Sequence, residues 1–186
     1  MSQELIATLN HIYPLSEALK ERIVSILKSK TFKKKAYLLQ IGQVSNHIYF
    51  IQKGLIRICY LKDGVEVCSA LLSEGQFPIS VNSFFNRQVS YEFMQALEET
   101  IVYYIHYDDL EKIYKDFIEF NVIGRLLITQ YYILSEERNY LLRKQKAQEK
   151  FVFFQRHFGH LASRVPRKDI ASYLGITLET LSRLGY

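Results

Sequence analysis

The chain has 186 residues, 48% of them hydrophobic, and a formal net charge of +5, which suits one large domain or two small ones. It contains no apolar run long enough to cross a bilayer, and its first residues lack the basic start and apolar core of a signal peptide. Cys59 and Cys68 are too few for a disulfide framework or a four-cysteine metal site. These features argue against a membrane or disulfide-stapled secreted protein and predict a cytoplasmic one.

The charge is unevenly distributed along the chain. Residues 1–137 hold 14 Lys and Arg against 16 Asp and Glu, whereas residues 138–186 hold 10 against 3, a net charge of +7. Such a division predicts a polyanionic partner for the C-terminal quarter. A basic helix face that is merely solvated explains the charge equally well.

A helix and then a set of strands are predicted for the first hundred residues. Ser16 is a suitable N-cap for a helix with Leu19 and Ile23 on its apolar face. Short segments rich in β-branched and aromatic residues follow, at residues 47–51, 55–61, 65–72 and 100–106. Asp63-Gly64 is a strong hairpin pattern, and many short strands at this spacing favour a sandwich or barrel-like roll.

A long helix is predicted from an N-cap at Asp108. Apolar and small residues then recur in steps of four and three, at Phe120, Gly124, Leu127, Tyr131, Leu134, Arg138 and Leu141. This spacing is typical of a helix that packs on a partner helix, so a homodimer with Phe120, Leu127, Tyr131, Leu134 and Leu141 in its interface is predicted. Gly124 and Arg138 interrupt the pattern, and an ordinary core-facing stripe is the alternative.

The C-terminal segment PRKDIASYLGITLETLSR predicts two short helices joined by a tight turn. Ile170 and Leu174 would form the buried side of the first helix, and Gly175 stands where the chain must turn sharply. Thr177 would cap the second helix, and Leu181 would pack it onto the first. This pattern is typical of a helix-turn-helix.

These motifs together resemble the Crp/Fnr family of bacterial transcription regulators over nearly the whole chain. Gly42 and Gly54, the Asp63-Gly64 hairpin and EGQF at 74–77 resemble the glycine framework of the family's cyclic-nucleotide-binding roll. IASYLGITLETLSR at 170–183 is similar to its helix-turn-helix, especially in Bacteroidetes-type variants.

The resemblance implies an α+β fold with three parts. An antiparallel, jelly-roll-like β-roll sensor with an N-terminal helix would span residues 1–107, a dimerisation helix and hinge 108–146, and a helix-turn-helix domain of the winged-helix type 147–186. Family members usually continue past the Ser-Arg pair, so the recognition helix is expected to be incomplete.

The resemblance also implies a set of DNA contacts and a homodimer on double-stranded DNA. Thr177 and Thr180 would hold phosphates, Leu178, Glu179 and Arg183 would face base edges, and Lys168 is predicted to contact DNA as well. Arginine can grip guanine and glutamate can accept from cytosine, whereas leucine can only touch a thymine methyl group.

The predicted effector pocket departs from the family pattern. Ile79 and Ser80 stand where cyclic-nucleotide-binding members carry Gly-Glu, and Ser90 and Tyr91 stand where they carry Arg-Ser or Arg-Thr. A phosphate without a cation is poorly compensated for its desolvation. The site residues Ile79, Ser80, Arg87, Ser90 and Tyr91 therefore predict a degenerate pocket with an unknown small-molecule effector or none, and Arg87 is the one nearby substitute for the cation.

Two hypotheses of other classes remain at this point. A dimerising interaction protein without specific DNA binding is one, and a cupin-like barrel enzyme is the less favoured other. A cupin needs clustered His and Glu for a metal, and His47, His106 and the helical pair His157 and His160 are its scattered candidates. No catalytic residue, metal or cofactor is predicted, and the chain is not expected to be an enzyme.

Overall fold

The computed structural model describes residues 3–144 and 146–185. It begins with helices α1 (Gln3–Ile12) and α2 (Glu17–Ile26). The predicted cap is confirmed, because the Ser16 hydroxyl oxygen accepts from the backbone N–H of Leu19 at 3.2 Å. Helix α1 was not predicted from the sequence.

Among the described residues, seven strands form two antiparallel sheets. They are β1 (Lys28–Phe32), β2 (Tyr37–Leu39), β3 (His47–Lys53), β4 (Ile56–Lys62), β5 (Val65–Leu72), β6 (Glu92–Ala96) and β7 (Thr100–His106), with helix α3 (Val81–Asn86) before β6. The first sheet has the order β1-β7-β3, and the second has the order β2-β6-β4-β5. The four predicted strands are confirmed as β3, β4, β5 and β7, while β1, β2 and β6 were missed.

The two sheets enclose the core of the roll and each packs a further layer on its outer face. Ile51, Val102 and Met94 are fully buried between the sheets. On the outer face of the first sheet, Phe50 and Tyr103 pack against α1, α2 and the helix that follows β7. This alternation along β3 and β7 follows from the two-residue period of a strand.

The single helix predicted from Asp108 is two helices, α4 (Tyr107–Asp116) and α5 (Ile118–Lys144). Phe117 separates them in an extended conformation, with φ −128° and ψ 101°. Asp108 is not the cap: His106 is the N-cap residue, and its ring nitrogen accepts from the backbone N–H of Asp108 at 3.3 Å.

The four–three stripe of α5 packs within this chain, which was the alternative interpretation of its spacing. Phe120 is 7% exposed and packs on Tyr114, and the Tyr131 hydroxyl accepts from the backbone N–H of Phe77 at 2.9 Å. Gly124 is required at its position, because a Cβ atom there would lie 2.5 Å from the Tyr114 hydroxyl. Leu127 and Leu134 are half-buried, and each packs against a core cluster of this chain. Leu141 is half-buried as well.

The opposite face of α5 is exposed and mixes apolar with polar side chains. Its exposed large side chains are Ile118, Ile128, Tyr132, Ile133 and Tyr140. The residues predicted for a dimer interface are thus buried or half-buried within this chain, and their role in a dimer stays a prediction.

The C-terminal helices are α6 (Ala147–Phe158), a short 3₁₀ turn (Gly159–Leu161), α7 (Arg167–Leu174) and α8 (Leu178–Arg183). They pack on the outer face of the second sheet, where Phe154 and Leu174 share one core with Leu71 and Phe93 of the sheet. In the described part of the chain no strand follows β7, so these residues contain no wing. None of the described helices is long and apolar enough to cross a membrane.

Candidate nucleic-acid interface and sensor pocket

A tight turn at Gly175 joins α7 to α8. Gly175 adopts the left-handed conformation with φ 60° and ψ 43°, which glycine reaches without steric cost. Its backbone N–H donates to the carbonyl of Ser172 at 3.1 Å, and that of Ile176 donates to the carbonyl of Ala171 at 3.0 Å. These bonds satisfy the last carbonyl groups of α7 and fix the direction in which α8 leaves.

Helix α8 is short and is held at both ends. The Thr177 hydroxyl oxygen accepts from the backbone N–H of Thr180 at 3.1 Å, which is an N-cap bond. Leu181 is fully buried against α7, and the guanidinium of Arg167 donates to the Ser182 hydroxyl at 2.9 Å. The outer face of α8 is thus presented on a fixed support.

The residues predicted to contact DNA lie mostly on that outer face. Thr177, Glu179 and Arg183 are exposed, Leu178 is 44% exposed, and Thr180 is half-buried with its hydroxyl 3.0 Å from that of Thr177. Lys168 is exposed on α7. Most of these side chains are thus accessible, and their role in DNA contact stays a prediction.

A buried ion pair that the sequence analysis missed joins α7 to the roll. The guanidinium of Arg57 on β4 donates to the Asp169 carboxylate at 2.8 Å, and both residues are at most 6% exposed. Arg57 also bonds the Gln95 side-chain oxygen at 2.7 and 3.0 Å and lies 2.8 Å from the Glu66 carboxylate. The residues are far apart in sequence, so no local pattern indicates the pair.

A second ionic contact joins the segment before α7 to the roll. The guanidinium of Arg164 donates to Glu74 at 2.7 and 3.0 Å, and it also bonds Glu98. The bond with Arg164 lowers the pKa of Glu74 to about 2. Glu74 is the first residue of the EGQF motif, so this motif also positions the C-terminal helices.

Two serines close the predicted effector pocket. The hydroxyls of Ser80 and Ser90 are 3.0 Å apart, and Ser80 donates to the Glu92 carboxylate at 2.7 Å. Both serines are buried, and burial raises the pKa of Glu92. Ile79 is half-buried against the core beside α1 and α2, whereas Tyr91 is exposed. Ser80 and Ser90, which stand where the family carries Glu and Arg, are thus adjacent. Together with Glu92 they form an acidic, hydrogen-bonded cluster.

Arg87 does not serve as a cation for that cluster. Its guanidinium donates to the backbone carbonyl of Ser45 at 2.8 Å and to the Asn46 side chain, and it stacks 4.1 Å above the Tyr107 ring. The residue itself adopts a left-handed conformation with φ 53°. The substitution of Arg87 for the missing arginine is therefore not supported by the geometry.

The histidine candidates do not form a metal site. His47 and His106 are partners across β3 and β7 with ring centroids 5.3 Å apart, which the sequence analysis did not foresee. His157 lies 3.9 Å from the Glu137 carboxylate on a neighbouring helix. Within the described residues, no group of three or more His, Cys, Asp or Glu is placed to hold a metal ion.

The two cysteines face each other across the β4–β5 pair and are free and buried. The hydrogen bond with Cys59 and burial raise the pKa of the Cys68 thiol. The backbone N–H of Cys68 donates to the Ser172 hydroxyl oxygen of α7 at 2.8 Å. The thiols therefore belong to the packing beneath α7.

Comparison with known proteins defines the class of the roll. Residues 29–117 match the cyclic nucleotide-binding domain family. The chain is 26% identical to the Anaerobic regulatory protein of Pasteurella multocida (strain Pm70), over 92% of this chain and 67% of that protein. The roll is therefore similar in sequence to cyclic nucleotide-binding domains.

Solved structures extend the likeness to the whole chain. FixK2 from Bradyrhizobium japonicum is 22% identical and superimposes with a TM-score of 0.72, over 86% of this chain and 82% of its own. A chain assigned to the Crp/Fnr family of transcriptional regulators, from Eubacterium rectale, is 16% identical with a TM-score of 0.73, over 94% and 85%. Together the domain, the relative and the shared fold support a regulator of the Crp/Fnr type.

Proposed function

We propose that this chain is a cytoplasmic, homodimeric regulator that binds double-stranded DNA through α8 and responds to an effector other than a cyclic nucleotide, or to none. The observation that carries the proposal is the exposed outer face of α8, set on the quarter of the chain that has a net charge of +7. The FixK2-like fold and the regulatory relative support it.

The DNA contact is proposed to combine phosphate attraction with base contacts. Lys168 and the hydroxyls of Thr177 and Thr180 would meet phosphates, and Arg183 at the exposed end of α8 would meet a base edge. An arginine that binds a guanine contributes about 1–3 kcal/mol of discrimination against other bases. Phosphate contacts add affinity without sequence preference and weaken as salt rises.

The sensor is proposed not to bind cyclic AMP or cyclic GMP. A bound cyclic phosphate would have to displace the Ser80–Ser90 hydroxyl pair and would meet the Glu92 carboxylate in place of a guanidinium. Burying a phosphate without a cation is strongly unfavourable. Calorimetry with both nucleotides should give no heat of binding at micromolar concentrations, and a micromolar affinity, about 8 kcal/mol, would overturn this part.

The dimer is proposed to form through the exposed face of α5. Ile128, Tyr132 and Ile133 supply contiguous apolar surface there, and DNA readers of this kind bind palindromic half-sites as two-fold dimers. Light scattering should give twice the 21.9 kDa mass of the chain. Ile133→Asp should yield monomers, whereas Leu61→Asp, at an exposed apolar residue of the β4–β5 hairpin, should not.

A gel-shift titration with palindromes selected from a random pool tests the DNA contact. Arg183→Ala should reduce the preference for the selected site over random DNA by about tenfold or more. Lys168→Ala should weaken binding to both DNAs alike and flatten the salt dependence. Lys62→Ala, at an exposed residue of the β4–β5 hairpin outside the proposed contact set, is the matched control.

Two results would sink the proposal. If the chain forms dimers and binds no DNA at low salt, the dimerising interaction protein is the better description. If Arg183→Ala leaves discrimination intact while Lys62→Ala reduces it, α8 is not the DNA-contacting helix.

A further inference from the structure

The inner face of the first sheet changes character along its length. At one end Phe32, Ile51 and Val102 are buried in the core between the sheets. Towards the other end the same face carries Tyr49, Tyr104 and the two histidines, because residues two apart on a strand share a face. The roll is thus closed by apolar packing at one end and lined by aromatic and basic groups at the other.

A pocket of about 520 Å³ occupies this polar end, which we call the open-end pocket. The first sheet forms one wall, including Lys30, His47 and Tyr104, and β2 with residues 43–46 forms the other. Pockets for small molecules are commonly about 300–1,000 Å³ and combine apolar walls with a few polar groups. The open-end pocket therefore has the size and the lining of a small-molecule site.

The charge of the open-end pocket is positive. Among the described residues, no Asp or Glu lines it. The pKa of His47 is lowered first by burial and then by the positive charges of His106, Lys28 and Lys30. The carboxylate of Asp108 lies 3.4 Å from the ring of His106. The surroundings of His47 are therefore positive and disfavour its protonated form, which a bound anion would favour.

Aromatic surfaces flank the positive groups. The Lys30 ammonium lies 4.8 Å from the centre of the Phe32 ring, and the His47 ring stands edge-on to Tyr104 at 5.0 Å. The ring centroids of Tyr49 and Tyr104, which both line the pocket, are 6.0 Å apart. Flat aromatic walls favour a planar ligand, which stacks on them or meets their edges.

A buried hydroxyl in the same pocket lacks a hydrogen-bond partner. Ser45 lines the open-end pocket and is 2% exposed, and its hydroxyl bonds no group in the described part of the chain. A buried polar atom without a partner costs about 1–3 kcal/mol, and such atoms are rare in folded proteins. Because the oxygen atom itself is buried, the deficit marks the wall of the pocket as incompletely satisfied and is not a direct ligand contact.

We propose that the open-end pocket binds a small aromatic carboxylate, whose carboxylate meets Lys30 and His47 and whose ring packs on Tyr49 and Tyr104. One negative charge suits the Lys30 ammonium, to which the His47 imidazole can add a hydrogen bond or, once protonated, a second positive charge, and the flat ring suits the two tyrosine rings. The pocket is separate from the Ser80–Ser90 cluster, none of whose residues line it. Its use as an effector site rests on the proposed function, whereas binding itself does not.

The test uses 4-hydroxybenzoate as the probe and measures the histidine ring signals of the full chain by NMR. The probe should shift the His47 signals in a saturable way and raise the pKa of His47, because a nearby anion stabilises the imidazolium. The neutral analogue 4-hydroxybenzyl alcohol should bind at least tenfold more weakly, and inorganic phosphate should not displace the probe at equal concentration. Equal binding of the neutral analogue, or no shift at His47, overturns the proposal.

Two variants locate the site. Lys30→Gln changes an exposed side chain and leaves the fold intact. It should lower the affinity for the probe by about tenfold. Lys33→Gln, in the turn outside the pocket, should leave the affinity unchanged. Equal losses in both variants would mean that the probe responds only to net charge, and the proposed site would be wrong.

The same samples separate the two proposals. If the probe binds and DNA binding is absent, the open-end pocket stands and the proposed function fails. If DNA binding is specific and the probe does not bind, the proposed function stands and the pocket proposal is wrong. A change in DNA affinity on adding the probe, lost in Lys30→Gln, would identify the pocket as the effector site.

Discussion

The outer faces of the two sheets are covered in different ways. On the first sheet, Phe50 and Tyr103 pack among apolar residues of the covering helices, with Leu19 and Ile23 fully buried among them. On the second sheet, the apolar contact with α6 and α7 surrounds the buried Arg57–Asp169 pair and is flanked by Arg164. Apolar burial supplies stability without direction, whereas buried ion pairs add little net stability and select one arrangement. The ionic contacts on the second sheet thus fix the orientation of the C-terminal helices relative to the roll.

The largest expected effect breaks the apolar face. Phe50→Ala removes a ring that is 2% exposed and leaves a cavity between the first sheet and its helices, so the free energy of unfolding should fall by about 3–5 kcal/mol. Urea denaturation followed by far-ultraviolet circular dichroism measures it. Phe85→Ala, at an exposed ring of α3, is the control and should change stability by less than about 0.5 kcal/mol. Similar losses in both variants would contradict the layered packing described for this sheet.

The next effect tests the buried pair. Asp169→Ala leaves the Arg57 guanidinium buried with Glu66 as its remaining carboxylate partner, and it should cost about 3 kcal/mol. The double variant Arg57→Met with Asp169→Leu should recover most of this loss, because an apolar pair of similar volume avoids the desolvation cost.

The positional role of the pair gives a second readout. In the double variant, limited proteolysis should cut the connection between α5 and α6 faster than in the natural chain, although global stability is similar. If cleavage is unchanged, the ion pair does not select the position of the C-terminal helices.

The sequence predicted the roll better than it predicted what lies against the roll. Strands β3, β4, β5 and β7 carry strong β-branched and aromatic patterns, and the cap at Ser16 and the turn at Gly175 follow from local backbone chemistry. Strands β1 and β2 were not predicted from the sequence. The β1 segment KSKTF is short and polar, and the three-residue β2 segment YLL does not alternate between apolar and polar residues. Local patterns predict local structure, and these two strands exist only through their partners β7 and β6.

The stripe on α5 shows the same limit. Its period predicted a buried face correctly, but a period does not say whether the covering surface belongs to the same chain or to another. The contacts of α5 with Tyr114, Phe77 and Tyr173 join residues that only the tertiary fold brings together. For the same reason the sequence did not reveal the Arg57–Asp169 pair or the contact between His47 and His106.

A smaller effect concerns the ionic contact at the edge of the second interface. The bond with Arg164 lowers the pKa of Glu74 from 4.5 to about 2, so this carboxylate stabilises the fold above pH 4.5 and the contribution is lost as the pH falls towards 2. The pair is about one-third exposed, and solvent screening reduces its contribution to about 1 kcal/mol.

The acid limb of the stability curve measures this contribution. Arg164→Ala should flatten the dependence of the unfolding free energy on pH between about 4.5 and 2, and Arg156→Ala, on the exposed side of α6, should leave it unchanged. An unaltered acid limb in Arg164→Ala would show that Glu74 is not held by this arginine.

The smallest expected effect lies in the cap of α8, and it tests whether that helix needs its own cap or is fixed by packing alone. Thr177→Ala removes the hydroxyl that accepts from the backbone N–H of Thr180. The loss of this cap should destabilise α8 by about 1 kcal/mol. Leu181 stays buried, so the fold persists and the free energy of global unfolding should fall by no more than this amount, while amide exchange at Thr180 becomes about fivefold faster, since 1 kcal/mol corresponds to that ratio. Thr177→Ser keeps the capping oxygen and should exchange like the natural chain. If Thr177→Ala also leaves exchange unchanged, Leu181 and the Arg167–Ser182 contact hold α8 without the cap, and the proposed DNA-contacting face does not depend on Thr177 for its shape.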